Sequence, residues 1–421
     1  VISKLIQRVD YRDIATLLTH WLGSRAVILV AMLVIAPALG IHPSKDAVQP
    51  SFFVKWDGLW YEQIATRGYD YALDNQPHAI AFFPLYPLLC RAVMALGLPF
   101  STAGLLVSNT AFVAAITTTY FWVKARYGRK TAGWTTAVLC WCPLSLYGTV
   151  AYTEGLFLLL SALTLFSFDS KHYRQAAVWG ALTTATRLNG ITLVPSLLLT
   201  AWVEQRRRVA YFSALLAASG LLLFMGYCAW QFGNPLAFLS VQAGFGHRSG
   251  VGIPWQQWLL VLLRGLVGPI DMQRGLPKQP FHIVQVVLIV IAAYSLWRFR
   301  FWLSREVVPW AGFVLLVWLW LLWGDSLVKL MLIGGGGWLL WKLRRDLPLV
   351  VLAYGGFSLL LVLFSGSIVA TDRFTYAIVS LSIAAGLYFS RNPRIGRPVI
   401  IYFAVVLANF AVRFARNLWV A

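Results

Sequence analysis

Predominantly apolar runs of about 17 to 25 residues recur from one end of this 421-residue chain to the other. A run of that length matches the hydrocarbon thickness of a bilayer. Inside hydrocarbon every backbone N–H and C=O needs a partner within the protein, so each run reads as a helix. Composition agrees: 59% of residues are hydrophobic and 12% charged, with a mean hydropathy of +0.70. A soluble chain carries about 25% charge. A soluble enzyme, a secreted disulfide scaffold and a disordered tail are excluded. The sequence predicts an all-α polytopic membrane protein, with residues 1–421 forming one transmembrane domain.

The net charge of +20 comes from 35 basic and 15 acidic residues. The bases lie in clusters between apolar runs, which argues for short cytoplasmic loops and against nucleic-acid binding. The clusters are Lys124, Arg126, Arg129 and Lys130; Lys171 and Arg174; Arg206 to Arg208; Arg298, Arg300 and Arg305; Lys342, Arg344 and Arg345; and Arg391, Arg394 and Arg397. Clusters on one face must enclose even numbers of crossings. About thirteen spans satisfy this, near 16–40, 103–123, 132–149, 153–168, 175–188, 190–204, 209–231, 281–297, 307–323, 326–341, 347–365, 374–390 and 399–418. The first, Thr16 to Leu39, has no small-residue cleavage site after it and reads as a signal anchor. The run Gly334 to Gly337 weakens one span. The 20 Trp, 17 Tyr and 26 Phe suit interfacial belts and helix packing.

Two long segments fall outside the membrane in this arrangement, 41–102 and 232–280. The first holds Asp46, Asp57, Glu62, Asp70 and Asp74, five of the fifteen acids. Its stretch Ala79 to Leu98 is read as a helical segment along or dipping into the outer leaflet, with a further crossing as the alternative. In the second, Trp255 to Leu266 is amphipathic and suits the outer interface.

Five constellations carry candidate chemistry. In Lys55-Trp56-Asp57-Gly58-Leu59-Trp60-Tyr61-Glu62, helical spacing puts Asp57, Trp60, Tyr61 and Ile64 on one face. A carboxylate among aromatic rings suits sugar binding and proton acceptance; a helix N-terminal acid with interfacial anchors is the plainer reading. Two prolines in Phe82-Phe83-Pro84-Leu85-Tyr86-Pro87 bend the chain and set Phe83 and Tyr86 near the surface, where packing alone would also suffice. Tyr152-Thr153-Glu154-Gly155 places a carboxylate at membrane depth. Arg187-Leu188-Asn189-Gly190 and Asp372-Arg373-Phe374 place arginines at outer helix ends, suited to phosphate. A structural Glu154–Arg187 ion pair is the alternative. The loop from Phe232 through Gly233-Asn234-Pro235 to Gln242, His247 and Arg248 is the weakest signal.

P-loop, Rossmann, HExxH and GxSxG patterns are absent, as is a DxD pair. Cys90, Cys140, Cys142 and Cys228 read as buried thiols, and Cys140-x-Cys142 has no histidine near enough in sequence to suggest zinc. No metal site is expected.

The order Trp56-Asp57-x-x-x-Tyr61-x-x-Ile64-Ala65-x-x-Gly68-Tyr69, then Ala81-Phe82-Phe83-Pro84-x-x-Pro87, resembles the second GPI mannosyltransferase family (PIG-V type) and its prokaryotic relatives. Cys142-Pro143, Tyr152-Thr153-Glu154-Gly155-Leu156-Phe157 and Thr186-Arg187-Leu188-Asn189-Gly190 resemble that family's next motifs. Tyr61 stands where the human-type motif has histidine. The similarity spans roughly residues 50–200 and fades afterwards, apart from Gly233-Asn234-Pro235-Leu236.

The resemblance implies a GT-C glycosyltransferase fold in a prokaryotic plasma membrane, with the site on the extracytoplasmic face. It implies a polyprenyl-phosphate hexose donor, mannose favoured, and a glycolipid or similar acceptor. No further cofactor is expected. Asp57 is then the general base, and Arg187, Arg373 and Lys55 the donor-phosphate ligands. Sugar or acceptor contacts fall to Trp56, Trp60, Tyr61, Glu62, Phe83, Tyr86, Tyr152, Glu154, Asn189 and His247. A transporter or flippase for a lipid-linked sugar, or a non-catalytic subunit, is the rival reading; inverted repeats that would favour transport are not found.

Overall fold

The computed structural model describes residues 10–39, 50–245, 252–268, 270–271, 276–277, 281–304 and 306–420. The helices are α1 (Tyr11–Val30, continuing through a π turn to Ala38), α2 (Asp57–Arg67), α3 (Leu85–Met94), α4 (Phe100–Tyr127), α5 (Arg129–Trp141), α6 (Glu154–Asp169), α7 (Tyr173–Thr184), α8 (Leu193–Val203), α9 (Arg208–Leu216) and α10 (Ser219–Phe232). There follow α11 (Ala237–Ser240), α12 (Trp255–Val267), α13 (Phe281–Arg298), α14 (Val307–Trp323), α15 (Asp325–Leu330), α16 (Gly336–Lys342), α17 (Leu349–Leu363), α18 (Thr371–Tyr376), α19 (Val379–Arg391) and α20 (Pro393–Ala415). A two-residue ribbon, Ile270–Asp271 against Leu276–Pro277, interrupts an otherwise helical fold.

A helix lies within each of the thirteen expected segments, but they are not thirteen full crossings. Tyr11–Ala38, Phe100–Tyr127, Arg208–Phe232, Phe281–Arg298 and Pro393–Ala415 have the length and apolarity of complete spans. The pair Val307–Trp323 and Asp325–Lys342 bends by 120° between its arms. The helices α5, α6, α7, α8, α17 and α19 have 11 to 16 residues. That is short of the roughly 20 needed to cross alone. The difference lies in irregular turns buried at the helix ends. Such backbone survives at membrane depth where protein groups satisfy it. The Gly334–Gly337 run does not break its helix; the chain passes through a π turn, Met331–Gly335, into α16. In the stretch Ala79 to Leu98 the helix α3 has 10 residues, too few to cross by itself. The stretch from Trp255 is helical as α12, with Leu259, Leu262, Leu263 and Leu266 exposed.

The basic clusters gather at one end of the bundle. Asp13 pairs with Lys124 and Arg129, Arg126 with Asp169, and Arg391 with Asp346, while Tyr127 Oη donates to the Asp346 carbonyl. Arg206 donates to the Phe168 carbonyl, which brings the 206–208 cluster to the same end. Helix α6 ends there at Asp169 and begins at Glu154, about 24 Å away at 1.5 Å per residue. The 50–98 segment, with α2 and α3, packs near the Glu154 end.

Candidate active site

Four charged side chains from distant parts of the sequence meet at the end of the bundle opposite the basic clusters. Arg373 Nη2 lies 2.7 Å from Asp57 Oδ2, and Arg373 Nε lies 3.2 Å from Glu154 Oε1. Arg187 Nη1 donates to the same Glu154 oxygen at 2.8 Å. The side chains of Glu154 and Arg373 are 1% and 5% exposed, those of Arg187 and Asp57 11% and 16%. Asp57 is thus the member most open to an incoming group. Among the described residues, Glu154 Oε2 and Arg373 Nη1 are buried without a hydrogen-bond partner.

Both carboxylates open helices, where the N-terminal dipole favours negative charge. Asp57 starts α2 and Glu154 starts α6. The turn before Asp57 is unusual, because Trp56 takes φ 54°. That region is costly for a bulky side chain. Ala370, which caps α18 ahead of Asp372-Arg373, also sits at φ 56°. Both arms of the Asp57–Arg373 pair therefore leave strained residues.

The segment between α5 and α6 supports the site. It runs as a 3-10 turn over Pro143–Gly148 and then irregularly to Thr153. Its polar groups are met by buried side chains. Arg25 of α1 donates through Nη1 to the Ser145 carbonyl at 3.1 Å and to Thr149 Oγ1 at 2.7 Å, and through Nη2 to Ser145 Oγ at 3.0 Å. Asn109 Nδ2 donates to the Thr149 carbonyl at 2.9 Å, and Ser108 Oγ to the Tyr152 carbonyl at 2.8 Å. Gly155 allows α6 to meet α4: a Cβ there would stand 2.6 Å from the Ser108 carbonyl oxygen. Gly190 plays the same part beside Arg187, where a Cβ would stand 2.9 Å from the Thr183 carbonyl oxygen.

Aromatic faces enclose the guanidiniums. Arg373 lies 5.3 Å from the ring centres of both Tyr147 and Tyr152, and 6.0 Å from that of Trp419. Arg187 lies 4.9 Å from Phe374. Rings at these distances supply cation–π attraction in place of lost water.

The expected site residues divide. Asp57, Glu154, Arg187 and Arg373 form the cluster. Tyr152 is buried beside it and accepts a hydrogen bond from the Asp57 N–H at 3.3 Å. Trp56 packs edge-on against Trp419, with centroids 5.2 Å apart. Tyr61 is buried and within 3.3 Å of Thr153 Oγ1. Trp60 is half-buried, stacked on Phe82 and edge-on to Phe245. Glu62 and Asn189 are half-buried near these elements, outside the ion-pair cluster.

Three of the expected residues stand apart from the cluster. Lys55 is not in the cluster, because its Nζ donates to the Phe414 and Ala415 carbonyls at 3.0 and 3.1 Å, closing the end of α20. Phe83 is buried against Phe224 and Phe238. Tyr86 is fully buried, and its Oη contacts the Gly104 carbonyl and Ser108 Oγ. Packing accounts for both rings. His247 lies outside the described residues.

Sequence reading missed Arg25, Tyr147, Phe245 and Trp419. For Arg25 the signal was present, a cation inside the first apolar run. The others have no local pattern.

An apolar cavity of about 190 Å³ extends from Cys142 and Tyr376 past Met331 and Leu381 to Tyr388 and Phe389, toward the end that bears the basic clusters. Among the described residues, no three of His, Cys, Asp and Glu converge as metal ligands. The cation between Asp57 and Glu154 is Arg373.

Comparison with known proteins follows the same lines. The chain is 29% identical over 147 residues to GPI mannosyltransferase 2 of Schizosaccharomyces pombe, a match covering 33% of this chain and 30% of that protein. The fold is similar to that of the Archaeoglobus fulgidus oligosaccharyltransferase in its apo form, with TM-score 0.50 and 12% identity, over 97% of this chain and 56% of that one. ArnT from Cupriavidus metallidurans, bound to undecaprenyl phosphate, is a weaker likeness at TM-score 0.38 and 13% identity, over 87% of this chain and 78% of that one. The sequence profile described as Mannosyltransferase (PIG-V) matches residues 24–263, more than half of the chain, including Asp57, Glu154 and Arg187 of the cluster but not Arg373. This integral membrane protein, with its GT-C fold, belongs to the PIG-V mannosyltransferase family.

Proposed function

We propose that this protein is an inverting glycosyltransferase. It moves a hexose, mannose being favoured by the family, from a polyprenyl-phosphate carrier to a hydroxyl of an extracytoplasmic acceptor such as a glycolipid. The observation that carries the reading is the buried Asp57–Arg373–Glu154–Arg187 cluster, which puts a partly open carboxylate beside two arginines. Its place at the end opposite the basic clusters supports an outer-face site by the positive-inside rule. The host membrane is read as a prokaryotic plasma membrane.

In the proposed step the acceptor oxygen attacks the anomeric carbon while Asp57 takes its proton. The bond from that carbon to the carrier phosphate breaks, and its electron pair leaves on the phosphate oxygen. The products are the inverted glycoside, the polyprenyl phosphate and a protonated Asp57, which then loses its proton to water. Arg373 and Arg187 offset the charge that develops on the leaving phosphate. Glu154 fixes both guanidiniums. The apolar cavity walled by Cys142 and Tyr376 receives the nearest isoprene units of the carrier, and Trp60, Phe82 and Phe245 offer faces to the acceptor. No metal or other cofactor is assigned to the step, and EDTA is expected to leave the rate unchanged.

The test is mannosyl transfer from a radiolabelled polyprenyl-phosphate mannose to a membrane lipid extract. Asp57→Asn is expected to lose about 10²–10⁴-fold in turnover, the usual worth of a general base, while still binding the donor. An Asn variant with the wild-type rate would remove Asp57 from the mechanism. Arg187→Ala is expected to weaken donor binding; an unchanged affinity would leave Arg187 a structural role only.

A further inference from the structure

We propose that the donor's phosphate and Asp57 compete for Arg373, so that loading the donor uncovers the base. This rests on the reading above and adds an order of events to it.

The argument begins with charge. Two carboxylates, Asp57 and Glu154, meet two guanidiniums, Arg187 and Arg373, so the empty cluster sums to zero. Asp372, the residue before Arg373, is balanced by Lys329, with Nζ and Oδ1 4.0 Å apart. Lys55 and Arg25, the further cations of this region, are spent on backbone carbonyls and hydroxyls. Within the cluster a phosphodiester anion thus meets no net positive charge. Joining the cluster would leave one anion in excess in a site where water is scarce, and such an excess is expensive. One resident carboxylate must move away.

Geometry decides which. Glu154 is almost fully enclosed and is held by both arginines through one oxygen. Asp57 is the most exposed member, and among the described residues its carboxylate pairs with Arg373 alone. It stands at the first position of α2, next to the strained Trp56, where a small rotation frees it toward the open side. Arg373 Nη1 is buried with no hydrogen-bond partner among the described residues, a donor ready for a phosphate oxygen. While Asp57 is paired with Arg373, its Oδ2 is taken up by the guanidinium 2.7 Å away and is not turned to an acceptor hydroxyl. Displaced by phosphate, it is free to face that hydroxyl, next to the sugar that has just arrived. Binding is then ordered, donor before acceptor, and the base stays masked in the unloaded protein.

The test is a double-mutant cycle on binding of a synthetic polyprenyl phosphate to the full-length protein in nanodiscs. Asp57→Asn is expected to bind the lipid about tenfold more tightly than wild type, since one charge-assisted contact no longer competes. Arg373→Gln is expected to bind at least tenfold more weakly. In the Arg373→Gln background the gain from Asp57→Asn should vanish. The corresponding polyprenol, which lacks phosphate, should bind wild type and Asp57→Asn equally.

Equal or weaker binding by Asp57→Asn, with Arg373→Gln still impaired, overturns the competition and leaves the phosphate site standing. A gain that persists without Arg373 also overturns it, because simple repulsion by Asp57 would then suffice. Unchanged binding by Arg373→Gln removes Arg373 from the phosphate site, and the proposed donor reading falls with it. Asp57→Ser replaces the Asn variant if the latter does not purify as a folded, monodisperse protein.

Discussion

Arg25→Met is the most informative single change outside the ion-pair cluster. Among the described residues no carboxylate pairs with Arg25, although its side chain is buried in α1. Its guanidinium lies 4.8 Å from the centre of the Phe112 ring and is spent on the segment between α5 and α6. Methionine fills similar volume without donors. The Ser145 carbonyl and the Thr149 hydroxyl then lose this donor, at about 1–3 kcal/mol for each orphaned buried acceptor. Against that, the protein no longer buries a cation without a counter-charge, which returns several kcal/mol. The two effects oppose, so global stability should change by no more than about 2 kcal/mol. Catalysis has no such compensation. The released segment carries Tyr147 and Tyr152 against Arg373 and leads directly into Glu154. A misplacement near 1 Å costs about 10²-fold. Thermal unfolding in detergent should therefore show a near-native midpoint, while mannosyl transfer falls about 10- to 100-fold and Arg25→Lys recovers part of it. Wild-type transfer by a folded Arg25→Met protein would refute the reasoning.

Other changes probe separate parts of the fold. Gly155→Ala forces a Cβ to within 2.6 Å of the Ser108 carbonyl oxygen and should cost about 1–3 kcal/mol of stability by overpacking α4 against α6, read as a lowered unfolding midpoint. Ala370→Gly relieves a left-handed φ of 56° and should raise that midpoint by the equivalent of about 1 kcal/mol; a lowered midpoint would show that the turn is not strained. His78 reaches Asp70 Oδ2 at 2.6 Å through Nδ1 and Asp74 Oδ1 at 2.8 Å through Nε2. These carboxylates, Asp70 foremost, raise its pKa above the ordinary 6.5. The folded value lies above the unfolded one, so the contribution is complete below about pH 6.5 and fades as pH rises through the folded value. Hydrogen exchange in the 70–78 turn should quicken relative to His78→Gln as pH climbs through that window, and identical profiles would refute the clip.

Helices were legible because hydrophobic runs in a membrane protein allow little else. Their lengths were not, since a buried irregular turn and a helix interior have the same apolar composition. Cys142 to Thr153 looks like the joined ends of two spans until Arg25, Ser108 and Asn109 are seen to occupy its polar groups. All four members of the charged cluster could be singled out as acids or arginines at outer helix ends. Their pairing could not, because Asp57 and Arg373 are brought together by tertiary packing with no local signature. Lys55 shows the limit most clearly. It is two residues from Asp57, yet the positive φ at Trp56 reverses the chain, and the two side chains serve different neighbours. For Phe83 and Tyr86 the pattern gave aromatic residues in a bent segment; it held no sign of which side would be covered by Phe224 or Ser108.

The ties between the first outer segment and the far end of the chain bear on how the protein is made. Lys55 closes the end of α20, Trp56 packs on Trp419, and Tyr147 donates to the Val420 carbonyl. A ribosome feeding this chain into the bilayer delivers Asp57 more than three hundred residues before Arg373 and Trp419. Until they follow, the nascent protein holds an aspartate without the arginine it meets in the fold. The cluster closes only when α18 and α20 have joined the bundle and Trp419 packs back on Trp56.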